Sequence, residues 1–195
     1  MNYNKIKLYG KLLHFKQGQL LSIFLTFKCN FRCDYCSLLW ATGTWPECEI
    51  STVNQWKDYF NNIRFQVKEI SLLGGEPTLY PGFTELTNWL LDKGYFVKVY
   101  TNLTRLTPLL RINRFRRFII HASYHRTYDS RMFLRNYYRL RKKHRIEVYE
   151  LGERTLGIKS RLNPILTKRQ VKESALHISP DRKIFLTCDE MCKNY

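Results

Sequence analysis

Three of the six cysteines of this 195-residue chain lie within eight residues, at positions 29, 33 and 36. They follow an apolar run, residues 20–27, whose β-branched and aromatic residues predict a strand. The spacing C-x3-C-x2-C supplies three thiolates, whereas a closed structural zinc site needs four ligands. Iron–sulfur clusters are normally held by four thiolates, so a cluster on three would leave one iron free to bind a small molecule. A zinc site that also uses Cys48, or three unrelated buried thiols, are the alternative interpretations.

The rest of the chain alternates predicted strands with predicted helices. Further strands are predicted at residues 67–73, 95–101, 117–123 and 145–151. Helices are predicted from Ser51 or Thr52 to about 63, and at 83–93, 108–113 and 129–144. This alternation implies parallel βαβ units. Five or six units are too few for an eight-fold barrel, which typically needs about 250 residues, so the predicted fold class is α/β with a partial, open (βα)5-6 barrel.

The predicted domain organisation is a single domain spanning residues 1–195. Residues 20–165 form its core, residues 1–19 an N-terminal extension and residues 166–195 a C-terminal extension. Within the first extension, residues 6–15 could pair with the strand that follows.

Unusual residues follow the predicted strands at their carboxyl ends. After the cysteine loop come Gly74-Gly75-Glu76-Pro77, then Asn102, then Ser123 with His125. Ligands bind at this edge in parallel α/β sheets and barrels, so the four segments predict one common site. Two adjacent glycines would let the backbone approach a ligand closely.

On these residues the chain resembles the radical S-adenosylmethionine (radical SAM) superfamily. The family signature is C-x3-C-x2-C with an aromatic residue before the last cysteine, here Tyr35. The resemblance implies a [4Fe-4S] cluster on Cys29, Cys33 and Cys36, with the amino and carboxylate groups of S-adenosyl-L-methionine (SAM) chelating the fourth iron. It also implies reductive cleavage of SAM to methionine and a 5′-deoxyadenosyl radical, an electron donor such as flavodoxin or ferredoxin, and a partial (βα)6 barrel.

Further parts of the sequence resemble the cofactor-binding segments of this family. The run that begins at Gly74, Gly75 and Glu76 is similar to its GGEP motif, which contacts the SAM amino group. Thr101-Asn102-Leu103 is similar to a T-N-G segment with leucine in place of glycine. The resemblance implies that Tyr35, Asn102 and Ser123 also contact the cofactor, and Tyr124, His125 and Arg126 could reach the substrate. Alternatively, Asn102 starts a helix and Ser123 is a core residue.

Positive charge is concentrated in the second half of the chain. The formal net charge is +17, and residues 103–169 contain 18 Lys or Arg against 4 Asp or Glu. Such asymmetry indicates a polyanionic partner, with nucleic acid the first candidate. A nucleic acid or nucleotide is therefore the first predicted substrate class. Alternatively, the positive charge is only a solvated basic surface. The alternative substrate class is a peptide or protein modified by the same radical SAM chemistry, and a second alternative function is a basic zinc-containing nucleic-acid-binding module without catalysis.

The end of the chain favours the peptide alternative. Residues 178–188 resemble the P-D-G-x4-C hairpin that opens the auxiliary-cluster (SPASM/twitch) extensions of several radical SAM branches. Arg182 stands where glycine is usual, and the run to Cys188 is one residue longer. Cys188 and Cys192, with or without Cys48, could bind a second metal, or could be free or paired thiols.

The N-terminal residues predict an intracellular protein. Residues 1–16 show no export signal, and residues 20–27 are too short to span a bilayer, so we expect no membrane association. A cytoplasmic, reducing location would keep the thiols available for metal.

Overall fold

The computed structural model describes residues 3–8, 11–16, 20–36, 39, 43–63, 67–113, 116–151, 176–182 and 184–185. The strands are β1 (Tyr3–Leu8), β2 (Lys11–Lys16), β3 (Leu20–Phe24), β4 (Glu69–Leu73), β5 (Phe96–Thr101), β6 (Phe118–His125), β7 (Arg145–Leu151), β8 (Leu176–Ile178) and β9 (Ile184–Phe185). The helices are α1 (Val53–Asn62), α2 (Phe83–Asp92), α3 (Leu106–Leu110) and α4 (Ser130–Leu140), with a short 3-10 helix at Pro77–Leu79.

Seven of these strands form one sheet, in the order β7-β6-β5-β4-β3-β8-β9. The neighbours from β7 through to β8 are parallel, and only β9 runs antiparallel to its neighbour. Helices α1 to α4 lie in sequence between the parallel strands β3 to β7. The predicted fold class, α/β with a partial, open (βα)5-6 barrel, is therefore confirmed: parallel strands with interleaved helices form an open sheet.

The N-terminal segment does not pair as predicted. Strands β1 and β2 pair antiparallel with each other, from Tyr3 opposite Lys16 to Leu8 opposite Lys11, and form a separate two-stranded sheet. Both edges of β3 are occupied by parallel partners, β4 and β8. The prediction that residues 6–15 could pair with the strand after them is therefore wrong.

Most predicted elements are present with shifted ends. Helix α1 begins after Thr52, which forms a capping box with Gln55, within one residue of the predicted start. Helix α3 begins at Leu106, two residues earlier than predicted, because a proline such as Pro108 is tolerated in the first turn, where backbone N–H groups need no intrahelical acceptor. Strand β6 continues two residues past the predicted end, pairing with β7 as far as His125 opposite Leu151.

The core lies between the sheet and its helices. Trp56 and Phe60 of α1 are buried, as are the predicted core residues Phe133, Tyr137 and Leu140 of α4. Among the residues that the structure describes, no helix is long and apolar enough to cross a membrane.

Strands β8 and β9 form a hairpin that extends the main sheet. Strand β8 lies parallel to β3, and β9 returns antiparallel to β8. Arg182 in the connecting turn has a φ of 67°, the left-handed conformation that glycine adopts most easily. Ser51 donates hydrogen bonds to the Pro180 carbonyl from its backbone N–H (3.0 Å) and its hydroxyl (2.7 Å). Cys188 and Cys192 lie outside the described residues, so the second metal site stays a prediction.

Candidate active site

A cavity of about 300 Å³ opens at the carboxyl ends of the parallel strands. This volume is at the lower end of the range for small-molecule sites. All nine residues predicted to bind the metal or the cofactor line it: Cys29, Cys33, Tyr35, Cys36, Gly74, Gly75, Glu76, Asn102 and Ser123. The structure thus brings four separate segments to one place, while the role of each residue in binding stays a prediction.

The three cysteines of the loop after β3 are available as ligands. None of Cys29, Cys33, Cys36 and Cys48 is in a disulfide. Burial raises the pKa of Cys29 to about 11 and also raises the pKa of Cys33, so both are thiols until a metal displaces the proton. Within the described ranges, no three Cys, His, Asp or Glu side chains are grouped closely enough to hold a single metal ion. Three thiols around one cavity fit a cluster in which each binds its own iron better than they fit one zinc ion.

Gly74 and Gly75 allow two backbone segments to touch. A Cβ atom on Gly74 would overlap the carbonyl oxygen of Thr26, and one on Gly75 would overlap those of Phe27 and Lys28. The Gly75 N–H donates to the Thr26 carbonyl, and the Glu76 N–H donates to the Lys28 carbonyl, both at 2.9 Å. A side chain at either position would therefore meet the chain's own backbone. Both glycines also line the cavity, and their close approach to a ligand stays a prediction. The contact holds the start of the cysteine loop against the end of β4.

Glu76 is a buried carboxylate that accepts four hydrogen bonds. Its Oε1 accepts from the Thr78 N–H (3.1 Å), the Thr78 hydroxyl (2.5 Å) and the Thr101 hydroxyl (2.8 Å). Its Oε2 accepts from the Asn102 N–H at 2.8 Å. Burial raises the pKa of Glu76, and these hydrogen bonds oppose that effect. Since Oε2 accepts only this one bond among described residues and the side chain lines the cavity, it has capacity to accept from a ligand cation.

Asn102 and Leu103 form a tight turn at the end of β5. Thr104 donates to Asn102 Oδ1 from its N–H at 3.0 Å and its hydroxyl at 2.6 Å. Leu103, which stands where the related segments have glycine, has a φ of 58° and is fully buried. The left-handed turn is therefore kept with leucine, held by an Asn136 Nδ2 hydrogen bond to the Leu103 carbonyl (2.7 Å).

His125 is the one residue of the 124–126 segment that lines the cavity. Its Nδ1 lies 2.5 Å from the Tyr35 hydroxyl and 3.3 Å from Cys33 Sγ. Burial lowers the pKa of His125 to about 4, so the ring is neutral near pH 7. Tyr124 instead packs edge-on against Phe133, and Arg126 pairs with Glu150. Of these three residues only His125 lies at the cavity, and their contact with a substrate stays a prediction.

Apolar and aromatic side chains that the sequence analysis did not select complete the wall. Tyr100 immediately precedes the Thr101-Asn102 turn, and its position near a strand end is a signal that could have identified it. Leu73 and Leu151 carry a similar signal, because each is the last residue of its strand. Phe31 and Trp45 have no comparable signal, because they reach the cavity through the folding of loops. A second cavity of about 670 Å³ shares Cys29 and Trp45 with the first and is also lined by Cys48.

Comparison with known proteins identifies relatives for this site. Residues 23–152 match the family model described as the Radical SAM superfamily. The chain is 38% identical over 89 residues to 7-carboxy-7-deazaguanine synthase from Clostridium acetobutylicum, covering 45% of this chain and 39% of the relative. It is 39% identical over 85 residues to the mycofactocin maturase MftC from Mycobacterium tuberculosis, covering 43% of this chain and 21% of the relative. The chain thus spans well under half the length of these two relatives.

Among solved structures, the fold is similar to that of Streptococcus suis SuiB bound to the precursor peptide SuiA. The TM-score is 0.61, and the match covers 93% of this chain and 62% of that chain. Because the sequence identity is 12%, the likeness shows the fold alone.

Proposed function

Because the chain belongs to the radical SAM superfamily, we propose that it binds a [4Fe-4S] cluster and cleaves SAM reductively to a 5′-deoxyadenosyl radical. The observation that carries this proposal is the convergence of the three cysteines and the Gly74-Gly75-Glu76 segment on one cavity. When bound, such a cluster would supply one electron to SAM, and the protein would orient and shield the reactants.

Each part of the cavity has a distinct task in this proposal. Cys29, Cys33 and Cys36 hold the cluster as thiolates. Glu76 Oε2 accepts a hydrogen bond from the SAM amino group, which fixes the orientation of the methionine end. Tyr35, Asn102 and Ser123 contact the rest of the cofactor. The apolar wall excludes water, so that a primary radical would meet the substrate before it meets solvent.

The test of this assignment is anaerobic reconstitution with iron and sulfide. The wild-type chain should bind about four irons and give the spectrum of a [4Fe-4S] cluster. Cys29→Ala, Cys33→Ala and Cys36→Ala should each abolish it, because water cannot replace the thiolate that binds an iron of the cluster. Cys48→Ala is the matched control and should keep the cluster. A full cluster in any of the three loop variants would overturn the ligand assignment.

For the substrate, the exposed face of α4 favours a nucleic acid or a nucleotide-containing polyanion. Arg131, Arg135 and Arg139 are exposed and spaced four residues apart, so they share one face of the helix. Tyr138 is 50% exposed, and the Arg141 guanidinium lies 5.9 Å from its ring centre. Cationic side chains beside an exposed aromatic ring suit a phosphate backbone with stackable bases.

Not every basic residue of residues 103–169 contributes to this surface. Arg117 donates a 2.6 Å hydrogen bond to the Gly94 carbonyl, and Lys143 donates a 2.7 Å bond to the Leu110 carbonyl. Both therefore join neighbouring elements of the fold. Arg114 lies outside the described residues. The α4 arginines are consequently the best residues to change.

Binding of single- and double-stranded nucleic acid should weaken steeply with salt. In Arg135→Gln/Arg139→Gln, the slope of log K against log salt should fall by about 1.4 to 1.8, since each phosphate contact contributes about 0.7 to 0.9. Lys68→Gln/Lys93→Gln removes two exposed charges away from α4 and is the matched control. Equal slopes in both double variants, or salt-independent binding, would contradict a nucleic-acid surface.

A peptide is the second candidate substrate, and the similarity to a mycofactocin maturase favours it. The C-terminal hairpin β8–β9 also lies beside β3, whose carboxyl end leads into the cysteine loop. If the chain binds no nucleic acid even at low salt while SAM cleavage is intact, a peptide substrate is favoured.

A further inference from the structure

The turn that follows β6 folds back onto the cysteine loop. Within this turn, the Tyr128 N–H donates to the His125 carbonyl at 3.0 Å. The Tyr128 ring stacks on Phe31 with centroids 3.5 Å apart and planes within 2°. Its hydroxyl accepts a 2.7 Å hydrogen bond from the Arg32 N–H. One side chain thus fixes both a ring and a backbone amide of the loop.

His125 contacts the same loop from the other end of the turn. Its ring lies edge-on to Phe31, with centroids 5.3 Å apart, and nearly parallel to Tyr35, with centroids 5.9 Å apart. Its Nδ1 lies 3.3 Å from Cys33 Sγ. The second ring of the turn therefore reaches a predicted cluster ligand directly.

We propose that His125 and Tyr128 are positioning residues that hold the cysteine loop in its ligand-binding conformation and, through His125, tune the reduction potential of the bound cluster. The tuning of the reduction potential rests on the proposed function, whereas the positioning of the loop does not. Groups that contact metal ligands commonly orient them and adjust the metal in this way. Contacts from a distant segment already order the cysteine loop. Cluster assembly therefore does not have to offset the full loss of conformational entropy that ordering this loop would cost.

The protonation state of Cys33 determines the direction in which His125 shifts the midpoint potential of the cluster. A cluster-bound Cys33 is a thiolate and can only accept hydrogen bonds, so the neutral ring would carry its proton on Nδ1 and donate to Sγ. The Tyr35 hydroxyl would then turn away from Nδ1. Hydrogen bonds to the sulfurs and solvent exposure both set the potential of iron–sulfur clusters. Loss of this donor should shift the midpoint potential to a more negative value.

Two substitutions separate ring packing from hydrogen bonding. His125→Phe keeps an aromatic ring next to Phe31 and Tyr35 but removes Nδ1. Tyr128→Phe keeps the stack on Phe31 but removes the acceptor of the Arg32 N–H, and Tyr128→Ala removes both. Tyr95→Ala is the matched control, because Tyr95 packs against Phe60, remote from the loop.

The first measurement is hydrogen–deuterium exchange of the full chain before cluster assembly. Residues 29–36 should exchange several-fold faster in Tyr128→Ala than in wild type, and the Arg32 amide should exchange faster in Tyr128→Phe. Wild-type exchange in both variants would overturn the positioning role. This arm decides that role even if the wild-type chain binds no cluster, an outcome that would instead contradict the proposed function.

The second measurement is a redox titration of the reconstituted protein, followed by electron paramagnetic resonance. His125→Phe should bind the full cluster, with a midpoint potential more negative than that of wild type and Tyr95→Ala. His125→Gln, which restores an N–H donor, should return the potential toward the wild-type value. An unchanged potential in His125→Phe would contradict the tuning role.

Discussion

The side-chain amide of Asn102 donates a 3.0 Å hydrogen bond to the side-chain oxygen of Asn30, joining the end of β5 to the cysteine loop. The Asn30 amide in turn donates to the Thr104 hydroxyl at 2.8 Å. The Asn102 N–H also donates to Glu76, so one residue links the loop, the end of β4 and the end of β5. Asn102, which is predicted to contact the cofactor, therefore also connects three segments of the site.

Asn102→Ala should therefore lower the free energy of unfolding by about 1 to 3 kcal/mol, because the buried amide serves as partner to both Asn30 and Thr104. Asn30→Ala should cost less, about 0.5 to 1.5 kcal/mol, because Asn30 is exposed and water can replace its partner. Chemical denaturation of the two single variants and the double variant checks this. A coupling energy near zero would show that the Asn30–Asn102 bond contributes no stability.

Gly75→Ala should be among the most destabilising small substitutions in the chain. The new methyl group would overlap the carbonyl oxygens of Phe27 and Lys28, which are backbone atoms and cannot move without shifting the cysteine loop. We expect a loss of about 3 kcal/mol or more and reduced iron incorporation. The control is Gly43→Ala, where nothing lies within 4 Å and only the φ of 70° opposes a side chain. That variant should lose about 1 kcal/mol and keep its iron. Similar stabilities for the two variants would contradict the close backbone contact.

At position 103, a glycine variant should be more stable than an alanine variant, which is the reverse of the usual order. Leu103→Ala removes a fully buried side chain but keeps the left-handed φ of 58°, and it should cost about 2 to 5 kcal/mol. Leu103→Gly loses the same contacts but relieves the strain, worth about 1 to 2 kcal/mol. Thermal or chemical denaturation should thus find the glycine variant the more stable of the two by about 1 kcal/mol. An alanine variant more stable than the glycine variant would show that residue 103 is not held in a left-handed conformation.

The sequence was sufficient for the parts of this fold that depend on short-range patterns. Apolar runs located the parallel strands, and the rule that ligands bind at their carboxyl ends located the cavity. The sequence was not sufficient to predict contacts between distant segments, such as those of Asn30 with Asn102 or of Phe31 with Tyr128. These depend on how far each loop folds back over the sheet, which no local pattern encodes. The same is true of β8, which lies beside β3 although most of the chain separates the two.

His121 should make stability depend on pH in weakly acidic solution. Burial lowers its pKa from 6.5 to about 4, and the charged groups that act on it are Glu147, Lys98 and Arg145. Between these pH values the unfolded chain binds more protons than the folded chain, so the free energy of unfolding falls as the pH decreases. From pH 6.5 to 5 this loss should be about 1.5 kcal/mol.

Urea denaturation at several pH values checks this dependence, with His121→Gln for comparison. The variant should lose less stability than wild type over the same interval, because its side chain does not titrate. Parallel pH profiles would mean that His121 is as easily protonated in the folded protein as in the unfolded chain.

We propose that Cys29, Cys33, Cys36 and Glu76 together form a site that cleaves SAM. The most direct measurement is the amount of 5′-deoxyadenosine formed when the anaerobically reconstituted protein is mixed with SAM and a strong reductant such as dithionite. We predict 5′-deoxyadenosine from wild type and Cys48→Ala, none above background from any of the three loop variants, and a raised SAM requirement in Glu76→Gln. Wild-type protein that carries about four irons but forms no 5′-deoxyadenosine, or a Cys36→Ala variant that forms it at the wild-type rate, would contradict the account.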